Sequence, residues 1–219
     1  MVAGSKGASS PFFSVDGNWL AFFRGTELLR VSLLDGGPPL VVAISATGGY
    51  GATWGPEDLI VFSSLEYGPL SMVSVGGGPP RILVGPDSEA GERGLRWPQF
   101  LPGGQRLIFS AIGATPKTSR IIGFDRATGR RLALVEGGRG RYLPSGHLIF
   151  SRGAKLYLVR VHPRSLAVLG DPVAIETDLV PPGDSVRFDV ALDGALLLVR
   201  GRLELVRGWL PAVDRALRP

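Results

Sequence analysis

Four arginines carry the clearest chemistry in this sequence. Arg96, Arg139, Arg141 and Arg187 each stand just ahead of a short apolar segment, at Phe100, Tyr142 and Val190. A guanidinium is a planar, permanently charged fork that can bond two carboxylate or phosphate oxygens at once. Brought together, the four would form an electropositive funnel for a small anion or an acidic side chain. Trp97 and the loop around Gly91–Gly94, with Arg93, would form its rim. The competing expectation is that these arginines pair with acids such as Glu92, Asp184 and Asp189, or stack on aromatic rings.

The other reactive residue types offer less. His147 and His162 are expected on neighbouring turns about 10 Å apart, given a strand spacing near 4.8 Å, and so in structural or solvated roles. No Gly-x-Ser-x-Gly elbow occurs and no Ser/His/Asp triad can be assembled. The run Gly4-Ser5-Lys6-Gly7 lacks the Gly-Lys-Ser/Thr order of a phosphate loop. Glu57-Asp58, and Asp87 with Glu89, fall in turns where carboxylates are normally solvated. Cysteine is absent, which removes disulfides, thiolate metal sites and a cysteine nucleophile. No catalytic residue, metal or cofactor is expected.

The elements that position the arginines follow from punctuation and periodicity. Gly and Pro number 32 and 18 of 219 residues, and the longest stretch free of both is Glu57–Tyr67. A helix interior tolerates neither residue well, at about 1 kcal/mol for Gly and 3 for Pro. An all-helical domain is excluded and a doubly wound α/β domain nearly so. With 44% hydrophobic residues and a mean hydropathy of +0.20, the chain can support a core. What remains is all-β.

A repeat then specifies the architecture. Its five copies are Phe12–Phe22, Trp54–Phe62, Phe100–Phe109, Tyr142–Phe150 and Val190–Val199. Their turn residues Gly17, Asp58, Gly104, Gly146 and Gly194 are spaced by 41, 46, 42 and 48 positions. Each copy reads as an apolar strand, a Pro/Asp/Gly turn and a returning apolar strand. Third strands follow at Glu27–Ser32, Leu70–Val75, Ser119–Phe124, Lys155–Val161 and Arg202–Val206. Glycine-rich turns such as Asp35-Gly36-Gly37-Pro38 then lead to fourth strands at Leu40–Ala43, Ile82–Val84 and Arg131–Val135. Four antiparallel strands per unit of about 40–48 residues make a β-propeller blade. In a propeller, the segments holding the four arginines ring the mouth of the central channel.

The pattern of an aromatic residue, a Ser-Pro-Asp-Gly-like turn and a Leu-Ala-Phe-like strand, followed by Asp-Gly-Gly-x-Pro, resembles the TolB-like, WD-like propeller repeat of bacteria. The resemblance covers residues 11–207. Within it, Pro11–Phe23, Gly51–Phe62, Arg96–Phe109 and Arg141–Ser151 look most like the propeller regions attached to bacterial serine/threonine protein kinases. That likeness implies a sensor module on the extracytoplasmic side of a larger signalling protein. The chain departs from the pattern at Val15 and Leu192, where Pro is usual, and at Asp58, where Gly is usual. It has neither a kinase motif nor a membrane span.

The expected organisation is a flexible N-terminus at 1–10, one propeller at 11–207 and a tail or truncated strand at 208–219. Its repeats lie near 11–47, 48–94, 95–138, 139–183 and 184–207. Five copies suit either a five-bladed ring or part of a larger, incomplete one. An open ring leaves strand edges exposed and favours pairing with a second copy. Net charge is +5 and the pI near 10.1, yet the basic residues are dispersed and only Lys6, Lys117 and Lys155 of 24 are lysine. A nucleic-acid partner is therefore not expected. Nor is direct membrane insertion, because no run of 18 apolar residues exists. The start of the chain lacks the apolar core of a signal peptide. The reading is a non-enzymatic scaffold that binds a protein, a peptide or a small anion. The alternatives are a small propeller hydrolase or lyase using channel carboxylates, and a self-associating structural fragment.

Overall fold

Most first hairpins close with the same turn. The carbonyl of Ser14 accepts from the Gly17 amide, Leu101 from Gly104 and Leu143 from Gly146, each at 3.0 Å. Gly17, Gly104 and Gly146 have φ of 74°, 69° and 85°, a region a side chain rarely enters. The second copy makes the turn without glycine. There Pro56 accepts from Leu59 at 3.4 Å, while Glu57 and Asp58 take φ of 61° and 52°.

The computed structural model describes residues 4–44, 50–176, 188–190, 196–199 and 203–206. It is all-β, with one 3-10 turn, Pro116–Thr118, among the described residues. The first sheet pairs β1 (Ala8–Phe13), β2 (Trp19–Arg24), β3 (Glu27–Ser32) and β4 (Leu40–Ile44) in sequence order. The second is built the same way from β5 (Ala52–Trp54), β6 (Leu59–Ser63), β7 (Leu70–Ser74) and β8 (Arg81–Val84). A third follows from β9 (Gly94–Phe100), β10 (Arg106–Ile112), β11 (Arg120–Asp125) and β12 (Arg131–Glu136). The fourth contains β13 (Gly140–Tyr142), β14 (His147–Arg152), β15 (Lys155–Val161) and β16 (Val168–Glu176). Three strands form the last sheet among the described residues: β17 (Phe188–Val190), β18 (Leu196–Val199) and β19 (Leu203–Val206). These are the antiparallel blades of a β-propeller fold, as the repeat predicts. β1 begins at Ala8, inside the segment expected to be a flexible terminus. Among the described residues no helix is long and apolar enough to cross a membrane.

The chain divides into two compact units, Met1–Leu107 and Ile108–Pro219. In the first, the core is a face-to-face contact of the first two sheets. Ala21, Phe23, Leu28 and Val42 meet Trp54, Ile60, Phe62 and Val73, with the Phe23 and Phe62 rings 6.1 Å apart. In the second, Leu143, Ile149, Leu156 and Leu158 pack on Phe188 and Leu196. Each such side chain contributes about 1.5–3 kcal/mol when fully buried. This explains why β6, β10 and β14 each carry an unbroken apolar stretch, Leu59–Phe62, Leu107–Phe109 and Leu148–Phe150: both of their faces are covered. Outer strands are barer, and Leu40, Val41, Ile44 and Ile82 are exposed.

A Phe-Ser pair recurs in these central strands, at Phe62-Ser63, Phe109-Ser110 and Phe150-Ser151, with each serine 4% exposed or less. The buried hydroxyls are satisfied by nearby backbone. Ser63 Oγ donates to the Leu65 carbonyl at 3.2 Å and Ser110 Oγ to that of Gly138 at 2.7 Å. Ser151 Oγ accepts from the Arg139 amide at 3.1 Å.

Candidate functional site

Arg96 and Trp97 sit in the middle of β9. In the first unit this strand is stitched to its neighbours by main-chain bonds from Leu95 to the Gly68 carbonyl (2.9 Å) and from Trp97 to the Tyr50 carbonyl (3.0 Å). Two glycines permit the approach. A Cβ on Gly94 would lie 2.8 Å from the Tyr67 Cα, and one on Gly51, whose φ is +104°, would lie 2.7 Å from the Trp97 Cα. Trp97 itself has φ of 51°. For a bulky aromatic residue this is a sparsely populated conformation, and the surrounding contacts must hold it.

The result is a cluster of guanidiniums and aromatic rings. Arg96 donates from Nε and Nη2 to the Glu66 carbonyl at 2.9 and 2.7 Å, and its Nη2 lies 3.5 Å from the Glu66 carboxylate. Its guanidinium is 4.9 Å from the Tyr50 ring centre, 5.5 Å from Tyr67 and 5.9 Å from Trp97. The side chain is only 15% exposed, so Arg96 acts as the scaffold of the cluster. Arg93 lies 4.5 Å over the same Tyr67 ring and is itself exposed, and Tyr67 is 46% exposed. Electron-rich ring faces hold cations at such distances. The cluster therefore offers an exposed guanidinium, Arg93, beside an aromatic surface packed on Arg96.

The second unit holds Arg139 and Arg141 differently. Both reach one carboxylate on the first strand of the last sheet: Arg139 Nη2 is 3.8 Å from Asp189 Oδ2, and Arg141 Nε is 3.3 Å from Oδ1. The Arg139 guanidinium also lies 5.7 Å from the Phe188 ring. Asp189 was among the acids expected as partners. Arg187 lies outside the described residues. The structure thus brings Arg93, Arg96 and Trp97 together in one unit, and Arg139 and Arg141 together in the other.

Tyr50, Glu66 and Tyr67 complete the first cluster and were not anticipated from the sequence. The available signal was an aromatic residue directly before a glycine, in Tyr50-Gly51 and Tyr67-Gly68. Both histidines are engaged locally. His147 is 2% exposed at the start of β14, with Nδ1 3.0 Å from Ser145 Oγ, and His162 Nδ1 accepts from the Ser165 amide at 3.1 Å. No group of three His, Cys, Asp or Glu among the described residues is arranged to hold a metal ion. Asp16 accepts from the Ser14 hydroxyl and from the Asn18 amide and side chain. These bonds hold its carboxyl below the ordinary range, the serine hydroxyl contributing most.

No protein-family model matches the sequence, and no curated protein matches it. Solved structures do match. A protein assigned as TolB in Agrobacterium tumefaciens is 21% identical, with a TM-score of 0.61, over 90% of this chain and 79% of the other. The fold is that of a TolB-like β-propeller. A structure of the nidogen/laminin complex matches at 12% identity and a TM-score of 0.65, over 88% of this chain and 72% of that one. A protein assigned as a gluconolactonase matches at 14% identity and a TM-score of 0.66, over 92% and 74%. Propellers of this shape thus include both binding proteins and enzymes, so function must be argued from the site.

Proposed function

We propose that this chain is a binding module on which an acidic protein or peptide segment docks at Arg93, Arg96, Tyr67 and Trp97. The observation that carries the reading is the pair of guanidiniums within 5.5 Å of one half-exposed tyrosine. Tyr, Trp and Arg are the residues that most often dominate binding energy in interfaces. A carboxylate approaching Arg93 gains a charge-assisted bond while its neighbours cover Tyr67 and Trp97. Here Arg96 orients the rings, and Arg93 makes the contact.

The test is titration of fluorescein-labelled acidic and basic peptides. Acidic peptides should bind preferentially, and Arg93→Ala should weaken them at least tenfold with an unchanged melting temperature. Equal binding by Arg93→Ala and wild type would dispose of the reading. Arg139, Arg141 and Arg187 are proposed as a further cationic contact, a reading supported by the convergence of Arg139 and Arg141 on the exposed Asp189 carboxylate. The kinase-linked resemblance supports placing the module on the extracytoplasmic side of a longer signalling protein. The intact mass of the protein purified from its source checks that placement, and sedimentation checks self-association. The gluconolactonase neighbour favours a second reading, a lactone hydrolase, which would show as turnover of gluconolactone.

A further inference from the structure

A second feature of the first unit lies apart from the residues just described. Between the first hairpin turns of the first two sheets opens a groove of about 380 Å³, lined in part by Trp19, Trp54, Arg30, Asp16, Glu57 and Asp58. That volume suits a small molecule.

Arg30 is the unusual member. It lies on β3 directly opposite Ala21, on the sheet face that packs toward the second sheet. Its guanidinium rests 4.6 Å over the Trp19 ring, and its Nε is buried without a hydrogen-bond partner. A buried, unmatched charged donor is unfavourable unless something accepts from it. Arg24, on the adjacent strand, is by contrast paired with Glu27 at 2.9 Å. The carboxylates of the groove are arranged the opposite way. Asp16, Glu57 and Asp58 are all exposed, and the last two are presented by the glycine-free turn with left-handed backbone.

The charge pattern restricts the occupant. A simple anion suits Arg30 but must pass three carboxylates, and a simple cation suits the rim but meets Arg30 inside. A dipolar molecule satisfies both ends. We propose that this groove binds a small zwitterion, of the amino-acid or betaine class, with its carboxylate inward on Arg30 and its ammonium group outward at Asp58 and Glu57. Its short apolar body would lie between Trp19 and Trp54. The ammonium end would also gain from the aromatic faces.

Four probes separate the possibilities in calorimetric and tryptophan-fluorescence titrations of the full chain: L-leucine, glycine betaine, sodium acetate and tetramethylammonium chloride. At least one of the two zwitterions should bind ten times more tightly than acetate or tetramethylammonium. Arg30→Gln should weaken that zwitterion at least tenfold, and Asp58→Asn about threefold or more. Acetate or tetramethylammonium binding as tightly as the zwitterions would overturn the proposal, as would failure of both zwitterions to bind at millimolar concentration. Unchanged zwitterion binding by a folded Arg30→Gln variant would also overturn it. Asp58 is exposed and its replacement leaves the core intact, so if Arg30→Gln does not fold, unchanged binding by Asp58→Asn overturns the proposal instead. The acidic-peptide reading stands or falls separately, through Arg93.

Discussion

The two units solve one problem, holding two arginines on and just before the first strand of a sheet, in contrasting ways. In the first, Arg96 is fixed by a backbone carbonyl and three aromatic rings, and the Glu66 carboxylate is an addition at 3.5 Å. In the second, Arg139 and Arg141 share the carboxylate of Asp189, itself 56% exposed. Rings and carbonyls keep their grip as salt rises, whereas an ion pair with an exposed carboxylate is screened. The first arrangement is thus a rigid platform, and the second an electrostatic hinge on a single residue.

The largest effect should come from breaking the backbone approach that builds the platform. Gly51→Ala puts a Cβ 2.7 Å from the Trp97 Cα at a φ of +104°, and neither backbone can give way. It should destabilise by about 2–3 kcal/mol, read as a lower urea midpoint, with loss of acidic-peptide binding. The matched change in the second unit, Gly140→Ala, meets side-chain atoms alone, Ile121 Cδ1 and Cγ1 at 3.0 and 3.3 Å and Leu148 Cδ1 at 3.3 Å. A rotamer shift absorbs those contacts, so its effect should stay below about 1 kcal/mol. Equal losses would erase the distinction between rigid and yielding packing.

Next in size is Asp189→Asn, which removes the shared partner of two arginines. It should lower stability by about 1 kcal/mol at low salt and by less at 0.5 M NaCl. Glu66→Gln should change stability by less than about 0.5 kcal/mol, because the Glu66 carbonyl still holds Arg96. Chemical denaturation of both variants at two salt concentrations checks the pair, and a salt-sensitive loss at Glu66 would contradict the carbonyl-held picture.

The smallest expected effect is the acid dependence contributed by Asp16. Its carboxyl is held below the ordinary range in the folded chain, so its contribution is present above the unfolded value and is lost as pH falls through the folded one. Asp16→Asn should flatten the stability profile in that acidic window, its stability lying slightly below that of the wild type near neutrality and meeting it at the acid end. Thermal melts from pH 2 to 7 read this directly.

Much of the fold was legible because blade turns are local. Gly17, Gly104 and Gly146 announce themselves by residue type, and the left-handed backbone follows. The second blade shows the limit of that logic, since its turn places Glu57 and Asp58, and no glycine, in left-handed backbone. Their acidic turn looked solvated and ordinary, and its place on a groove opposite Arg30 required the packing of two sheets. The candidate cluster was half legible for a similar reason. Arg96, Trp97 and Arg93 are neighbours in sequence, but the Glu66 carbonyl that fixes Arg96 is 30 positions away. No periodicity reports a contact of that span.

The recurring Phe-Ser step has an evolutionary corollary. Phe62-Ser63, Phe109-Ser110 and Phe150-Ser151 each plug an aromatic ring into the core and turn a hydroxyl to nearby main chain, so the hydrogen-bonded half of this joint does not depend on which side chains lie beyond it. A gene built from such joints can duplicate, lose or trade one unit without redesigning the next. The surface loops, which carry the arginines and the acidic turn, are then free to diverge while the hidden joinery stays the same.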